Sequence, residues 1–219
     1  MRPDVPEAIA GPGVVAVIRK PPLPPRQVVE AVASGGIGAV EITLNTPGAL
    51  REIAELVTHR PKGLQLIAAG TILEVADAEA AAAAGAELIV TPVASVEVVR
   101  WCVSNGIPVI PGAHTATEIH AVWRAGACAV KVYPYVTGGI DHLRTLMGPL
   151  PEVRYLAFGG VTVAHAVDVT MAGGIGVGMG SWLTDRTDPG EITARAARVL
   201  DAVAEGRRRR LPELQGVRP

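Results

Sequence analysis

Apolar, β-branched runs recur along this chain about every 20 to 26 residues, at 14–19, 39–44, 65–70, 88–92, 108–113, 129–134, 154–160 and 174–181. Each is strand-sized and almost continuously apolar. A half-exposed antiparallel strand would show a polar residue at every second position, so the pattern suits parallel strands covered by helices. Helix punctuation lies between the runs. Thr46-Pro47 offers an N-cap with Pro at the first helical position. Thr71 with Glu74 and Thr115 with Glu118 match capping boxes, and Asp188-Pro189-Gly190-Glu191 combines both signals. Gly85, Gly106, Gly126 and Gly173 fall where helices should stop. Eight strand–helix units without a composition break predict a single (β/α)8 TIM barrel over about 14–205, one domain across 1–219 with a basic C-terminal tail at 206–219. An open doubly wound sheet is the competing reading. It normally carries a Gly-rich turn after its first strand, where this chain has Arg19-Lys20-Pro21-Pro22.

Bulk properties narrow the function classes. Hydrophobic residues make up 49% of 219 residues and aromatics only 3%, so a large core must be built from aliphatic side chains. A net charge of −1 makes no electrostatic case for nucleic acid. Arg207 to Arg210 form the one basic cluster and read as a solvated helix end. Cys102 and Cys128 sit in apolar segments without CxxC spacing, against a disulfide framework or zinc site. The first residues, with Asp4 and Glu7, do not resemble a signal peptide or anchor, and no apolar run is long enough to span a bilayer. The expectation is a cytoplasmic protein with neither nucleic-acid nor membrane partners.

Lysine usage singles out one residue. There are three lysines, Lys20, Lys62 and Lys131, against seventeen arginines. Lys20 and Lys62 lie beside prolines in apparent loops, whereas Lys131 sits inside Ala129-Val130-Lys131-Val132-Tyr133-Pro134. Burial there disfavours the charged form, and lysine, unlike arginine, forms imines once neutral. Strand alternation places Val40, Ile42 and Leu44 towards the helices and Glu41, Thr43 and Asn45 inward. It likewise sends Val130 and Val132 outward and Ala129, Lys131 and Tyr133 inward. Strands 2 and 6 of a ring of eight stand on opposite walls, so Glu41 and Lys131 approach across the interior, with Arg19 at the C-terminal rim. The competing reading is an ion pair kept for structure, although buried pairs rarely stabilise more than apolar packing does.

The motifs Val40-Glu41-Ile42-Thr43-Leu44-Asn45-Thr46-Pro47, Ala68-Ala69-Gly70-Thr71-Ile72-Leu73, Ile110-Pro111-Gly112, Thr115-Ala116-Thr117-Glu118, Val130-Lys131-Val132-Tyr133-Pro134, Gly159-Gly160-Val161-Thr162 and Gly178-Met179-Gly180-Ser181 occur in that order. Together they resemble the 2-keto-3-deoxy-6-phosphogluconate and 6-phosphogalactonate aldolase family. The resemblance implies a class I aldolase on a (β/α)8 barrel, typically a homotrimer, with neither metal nor organic cofactor. It also implies a place in Entner–Doudoroff-type carbohydrate metabolism. By match to the family, Lys131 is the Schiff-base lysine and Glu41 the general acid/base. Arg19 and Thr71 contact the pyruvate end, with Pro92 a further substrate contact. Gly159, Gly160, Gly180 and Ser181 cradle phosphate, a role that also suits Gly-rich turns after the last two strands of such a barrel.

Two positions depart from the phosphogluconate pattern. Asn45 stands where those members carry arginine, which resembles the phosphogalactonate branch and leaves the carboxylate to Arg19. Phe158 stands where members carry Thr or Val, and its ring is expected to narrow the distal, phosphate end of the pocket. The function expected is cleavage of a 2-keto-3-deoxy-6-phospho sugar acid to pyruvate and glyceraldehyde 3-phosphate. Alternatives are an aldolase for 4-hydroxy-2-oxoglutarate or another unphosphorylated 2-keto acid, and a non-catalytic phosphosugar-binding barrel. A metal-dependent aldolase would draw on His114, His142 and His165, but no HxH or HExxH spacing joins them.

Overall fold

The computed structural model describes residues 2–216, those from 211 on by backbone alone. Each apolar run holds a strand: β1 (Val14–Ile18), β2 (Ala39–Thr43), β3 (Leu66–Gly70), β4 (Leu88–Val90), β5 (Val109–Ile110), β6 (Gly112–Ala113), β7 (Val130–Val132), β8 (Tyr155–Phe158) and β9 (Gly176–Met179). The fifth run gives two strands because Pro111 interrupts it. Proline has no N–H to give a neighbouring strand. Its carbonyl still accepts from Lys131 N at 2.9 Å, and Gly112 N donates to Thr91 O at 2.9 Å. The order β5-β4-β3-β2-β1-β9-β8-β7-β6 is parallel throughout. Its two ends are consecutive pieces of one run, so the sheet closes into the predicted barrel.

Helices α1 (Glu7–Ala10), α2 (Pro25–Ser34), α3 (Ala49–Thr58), α4 (Val75–Ala83), α5 (Val96–Ser104), α6 (Ala116–Ala125), α7 (Gly139–Met147), α8 (Val163–Met171), α9 (Ser181–Thr184) and α10 (Pro189–Gly216) accompany the strands. None among the described residues is long and apolar enough to cross a membrane. The strands bury both faces, and their side chains fall into two separate cores. Val14, Ala16, Ile18, Val40, Ile42, Ile67, Val130 and Val132 pack outward against the helices. Val15, Val17, Ala39, Leu66, Ala68, Leu88, Ala129, Leu156 and Phe158 fill the barrel, and Ala8 and Ile9 of α1 join them from the N-terminal end.

The punctuation holds in part. Thr115 caps α6 in a full box with Glu118, and α10 begins at Pro189 with Asp188 accepting from Gly190 N at 2.9 Å. All four expected stop glycines have positive φ. Two starts are corrected. The N-cap of α3 is Gly48, because Thr46 Oγ1 is engaged elsewhere, accepting from Lys20 N at 3.0 Å and bonding Thr43 Oγ1 at 3.1 Å. The N-cap of α4 is Glu74, boxed with Asp77, because Thr71 turns into the left-handed region at φ 60°. The basic cluster holds in part: Arg208, Arg209 and Arg210 are exposed on α10, as a solvated helix end, whereas Arg207 is half-buried. Helix α10 runs through Arg207–Arg210, and the Arg207 guanidinium donates to Ile175 O at 2.8 Å, to Ala10 O at 3.1 Å and to Gly11 O. That arginine fastens the last helix across the N-terminal end of the barrel.

Candidate active site

The C-terminal ends of the strands surround a cavity of about 510 Å³. Arg19, Glu41, Lys131, Phe158, Gly159, Gly160, Gly180 and Ser181 line it together. Strands β2 and β7 stand four places apart around the ring, through β1, β9 and β8, so Glu41 and Lys131 face each other from opposite walls. Register puts Val17 beside Glu41 and Gly112 beside Lys131. The expected alternation thus carries both side chains inward.

Glu41 is 1% exposed and Lys131 4%. No direct ion pair joins them, and Glu41 Oε2 is buried without a hydrogen-bond partner. This differs from a structural salt bridge, in which burial is offset by direct contact. Burial pushes the Glu41 carboxyl above the ordinary carboxylate range, against the opposing pull of Lys131 and Arg19. Burial pushes the Lys131 amine down; Glu41 opposes this and the Arg19 cation adds to it. Both shifts favour a neutral amine facing a protonated carboxyl, the forms suited to a nucleophile and a proton donor.

Two glycines make room for these groups. A Cβ at Gly70 would overlap the Glu41 carboxylate, so β3 lets the acid lie flat against its backbone. A Cβ at Gly178 would overlap the Phe158 ring, so β9 admits a phenyl group into the barrel. That ring is not confined to the distal end, as the sequence suggested. Its centroid is 4.8 Å from Lys131 Nζ, and the ring of Tyr133, just after β7, lies 5.2 Å from that nitrogen. The ring is inward because it occupies the same strand face as Leu156, two residues earlier.

At the cavity's outer rim, Gly159 (φ 85°) and Gly160 (φ 76°) turn the chain through a conformation that side chains disfavour. Beside them, after the neighbouring strand β9, Gly180 and Ser181 open α9, whose Thr184 Oγ1 donates to Val17 O at 3.0 Å. Trp182 adds to the wall there, with the Arg195 guanidinium 4.6 Å over its ring and bonded to its carbonyl at 2.6 Å. Three expected contacts do not line this cavity. Asn45 is exposed in a separate crevice with Pro47, Arg51 and Asp77. The strand ends at Thr43, so alternation no longer governs its direction. Thr71 and Pro92 are half-buried in the loops after β3 and β4, with Thr71 Oγ1 unpartnered. Sequence reading missed Gly70, Gly178 and Trp182. None of the three carried a distinctive signal in the sequence, because Gly70 follows Ala68-Ala69 and Gly178 lies between Gly176 and Gly180.

His114 and His142 stack at 4.4 Å, while His165 lies edge-on to Tyr135 at 5.3 Å. No group of three or more possible metal-binding side chains occurs among the described residues.

The comparison with known proteins decides the family. The model for KDPG and KHG aldolase matches residues 8–197.

The chain belongs to the KDPG and KHG aldolase family.

A 2-dehydro-3-deoxy-6-phosphogalactonate aldolase of Escherichia coli K12 is 39% identical over 171 residues, covering 77% of this chain and 82% of the relative. A 2-dehydro-3-deoxy-phosphogluconate aldolase of Pseudomonas aeruginosa is 33% identical over 187 residues, covering 83% and 84%. Among solved structures, a KDPG aldolase from Legionella pneumophila with pyruvate captured as a covalent carbinolamine superposes with a TM-score of 0.74 at 26% identity. That match covers 90% of this chain and 95% of that one. As a member of this family the protein is an aldolase, and hence a lyase.

Proposed function

We propose that the protein cleaves a 2-keto-3-deoxy-6-phospho sugar acid, of gluconate or galactonate type, to pyruvate and glyceraldehyde 3-phosphate through an imine on Lys131. The observation that carries this reading is the buried Glu41 and Lys131 facing one cavity without an ion pair. A structural pair would close the distance between them, whereas a catalytic pair must leave space for the substrate carbonyl.

Lys131, as the neutral amine, adds to the C2 ketone. Glu41 gives its proton to the departing hydroxyl, so water leaves and a cationic iminium remains beside a carboxylate. Glu41 then takes the C4 hydroxyl proton, the C3–C4 bond breaks, and its electron pair flows to nitrogen as an enamine of pyruvate. Protonation at C3 and hydrolysis release pyruvate and the amine. Arg19 lies at the rim of the same cavity, suited to clamp the substrate carboxylate through two parallel hydrogen bonds. The backbone at Gly159–Gly160 and Gly180–Ser181, after the last two strands, supports a phosphate at the rim of that cavity. A second reading, an unphosphorylated substrate such as 4-hydroxy-2-oxoglutarate, is favoured by the Asp185 carboxylate, which shares that rim and repels phosphate.

Borohydride reduction in the presence of pyruvate tests the imine. A lactyl-sized mass should appear on the peptide containing Lys131 and disappear in Lys131→Arg. Labelling at Lys20 or Lys62, or none in the folded wild type, overturns the reading and returns the non-catalytic barrel. Comparing kcat/KM for the phosphorylated substrates with that for 4-hydroxy-2-oxoglutarate separates the two substrate readings.

A further inference from the structure

Lys131 Nζ lacks a carboxylate within ion-pairing distance, yet the proposed chemistry makes its nitrogen cationic inside the barrel. Two rings face it, that of Phe158 at 4.8 Å from centroid to nitrogen and that of Tyr133 at 5.2 Å. Phe158 is the single phenylalanine of the chain, is 3% exposed, and occupies space left by Gly178. An aromatic face attracts a cation through its quadrupole, most strongly where water is excluded.

We propose that Phe158 is a catalytic residue whose ring face stabilises the iminium on Lys131. This rests on the Schiff-base reading above. When the neutral carbinolamine loses its hydroxyl as water, the Glu41 proton goes to the leaving oxygen and a positive charge appears on nitrogen. An iminium keeps one N–H where an ammonium has three, so it has fewer hydrogen bonds with which to offset burial. The ring meets that charge without needing a donor or acceptor.

The benefit depends on what the nitrogen was beforehand. Where Lys131 rests as an ammonium, the ring stabilises the starting cation and the product cation alike and gains nothing. Where it rests as a neutral amine, the whole attraction favours the iminium. The ring's contribution is therefore greatest at alkaline pH and vanishes in acid. The other charged groups around the cavity that holds Lys131 are Glu41 on β2, Arg19 after β1 and Asp185 just after α9, and the second ring near its nitrogen is that of Tyr133, just after β7. All four remain in a Phe158 variant, so the ratio of wild type to variant isolates the ring.

The test is the yield of pyruvate adduct trapped on Lys131 by cyanoborohydride at subsaturating pyruvate, followed across pH. Wild type is compared with Phe158→Leu, with Phe158→Met as a second variant without a π face, and with Phe158→Tyr. The leucine and methionine variants should trap about tenfold less at alkaline pH, a factor worth about 1.4 kcal/mol and within reach of a desolvated cation–π contact. They should converge on wild type in acid, and the tyrosine variant should follow wild type throughout. A ratio near one, or a loss independent of pH, overturns the proposal and leaves Phe158 as packing. Absence of any adduct in wild type removes the imine reading itself, a different outcome from an adduct whose yield ignores Phe158.

Discussion

At the N-terminal end of the barrel, Ala8 and Ile9 of α1 are buried among Val15, Ala39, Leu66 and Leu88, and Arg207 ties that end shut through backbone carbonyls. At the C-terminal end of the same barrel, β2 and β7 bury Glu41 and Lys131 around open space. The first arrangement gains free energy by removing apolar surface from water. The second gives some up, because two ionisable groups are desolvated without direct pairing. Stability and the proposed chemistry would then reside at opposite ends of the barrel, and substitutions at the two ends should fail in opposite ways.

The largest effect is expected at the open end. Glu41→Gln keeps the shape of the side chain and should lower the aldol cleavage rate by about 10² to 10⁴, the usual scale for a general acid/base, without lowering the melting temperature. Unchanged kcat with a lower melting temperature would instead make Glu41 a structural partner of Lys131, and the contrast between the ends would collapse. At the closed end, Ile9→Ala should cost at least about 2 kcal/mol in denaturant unfolding, since it leaves a cavity in a fully buried site. Its kcat/KM should stay at the wild-type value. A matching loss of activity would mean that the plug positions the catalytic layer.

The smallest effect is in the pH dependence of stability. Glu41 holds its proton more tightly in the fold than in the unfolded chain, where a glutamate titrates near about 4.3. Its contribution is fully present below that unfolded value and is lost as pH rises through the raised folded value. The melting temperature of wild type should therefore fall over that window relative to Glu41→Gln. Parallel curves for the two proteins would show that Glu41 is not held protonated by burial.

Much of this was legible in the chain because a parallel barrel strand has a period of two and a covering helix a period near four. Glu41 with Ile42, and Lys131 with Val132, could be assigned to opposite faces from spacing alone, and eight runs without a Gly-rich turn after the first favoured a barrel over an open sheet, which the strand order then decided. The errors cluster where the period ends. Asn45 lies beyond Thr43, so its direction follows the turn that Thr46 holds rather than the pleat. Thr71 resembles an N-cap locally, but its left-handed backbone passes that role to Glu74.

The sequence by itself determined the eight runs that hold the strands, the inward placement of Glu41 and Lys131 and the motifs of the family, since these depend on local periodicity and residue type. Only the tertiary structure decided that the acid and the lysine stand apart, that Gly70 and Gly178 are notches for Glu41 and Phe158, and that the Phe158 ring meets Lys131. Those facts depend on how side chains from strands far apart in sequence share the volume inside the barrel. That volume is set by packing across the closed sheet, which no local pattern encodes.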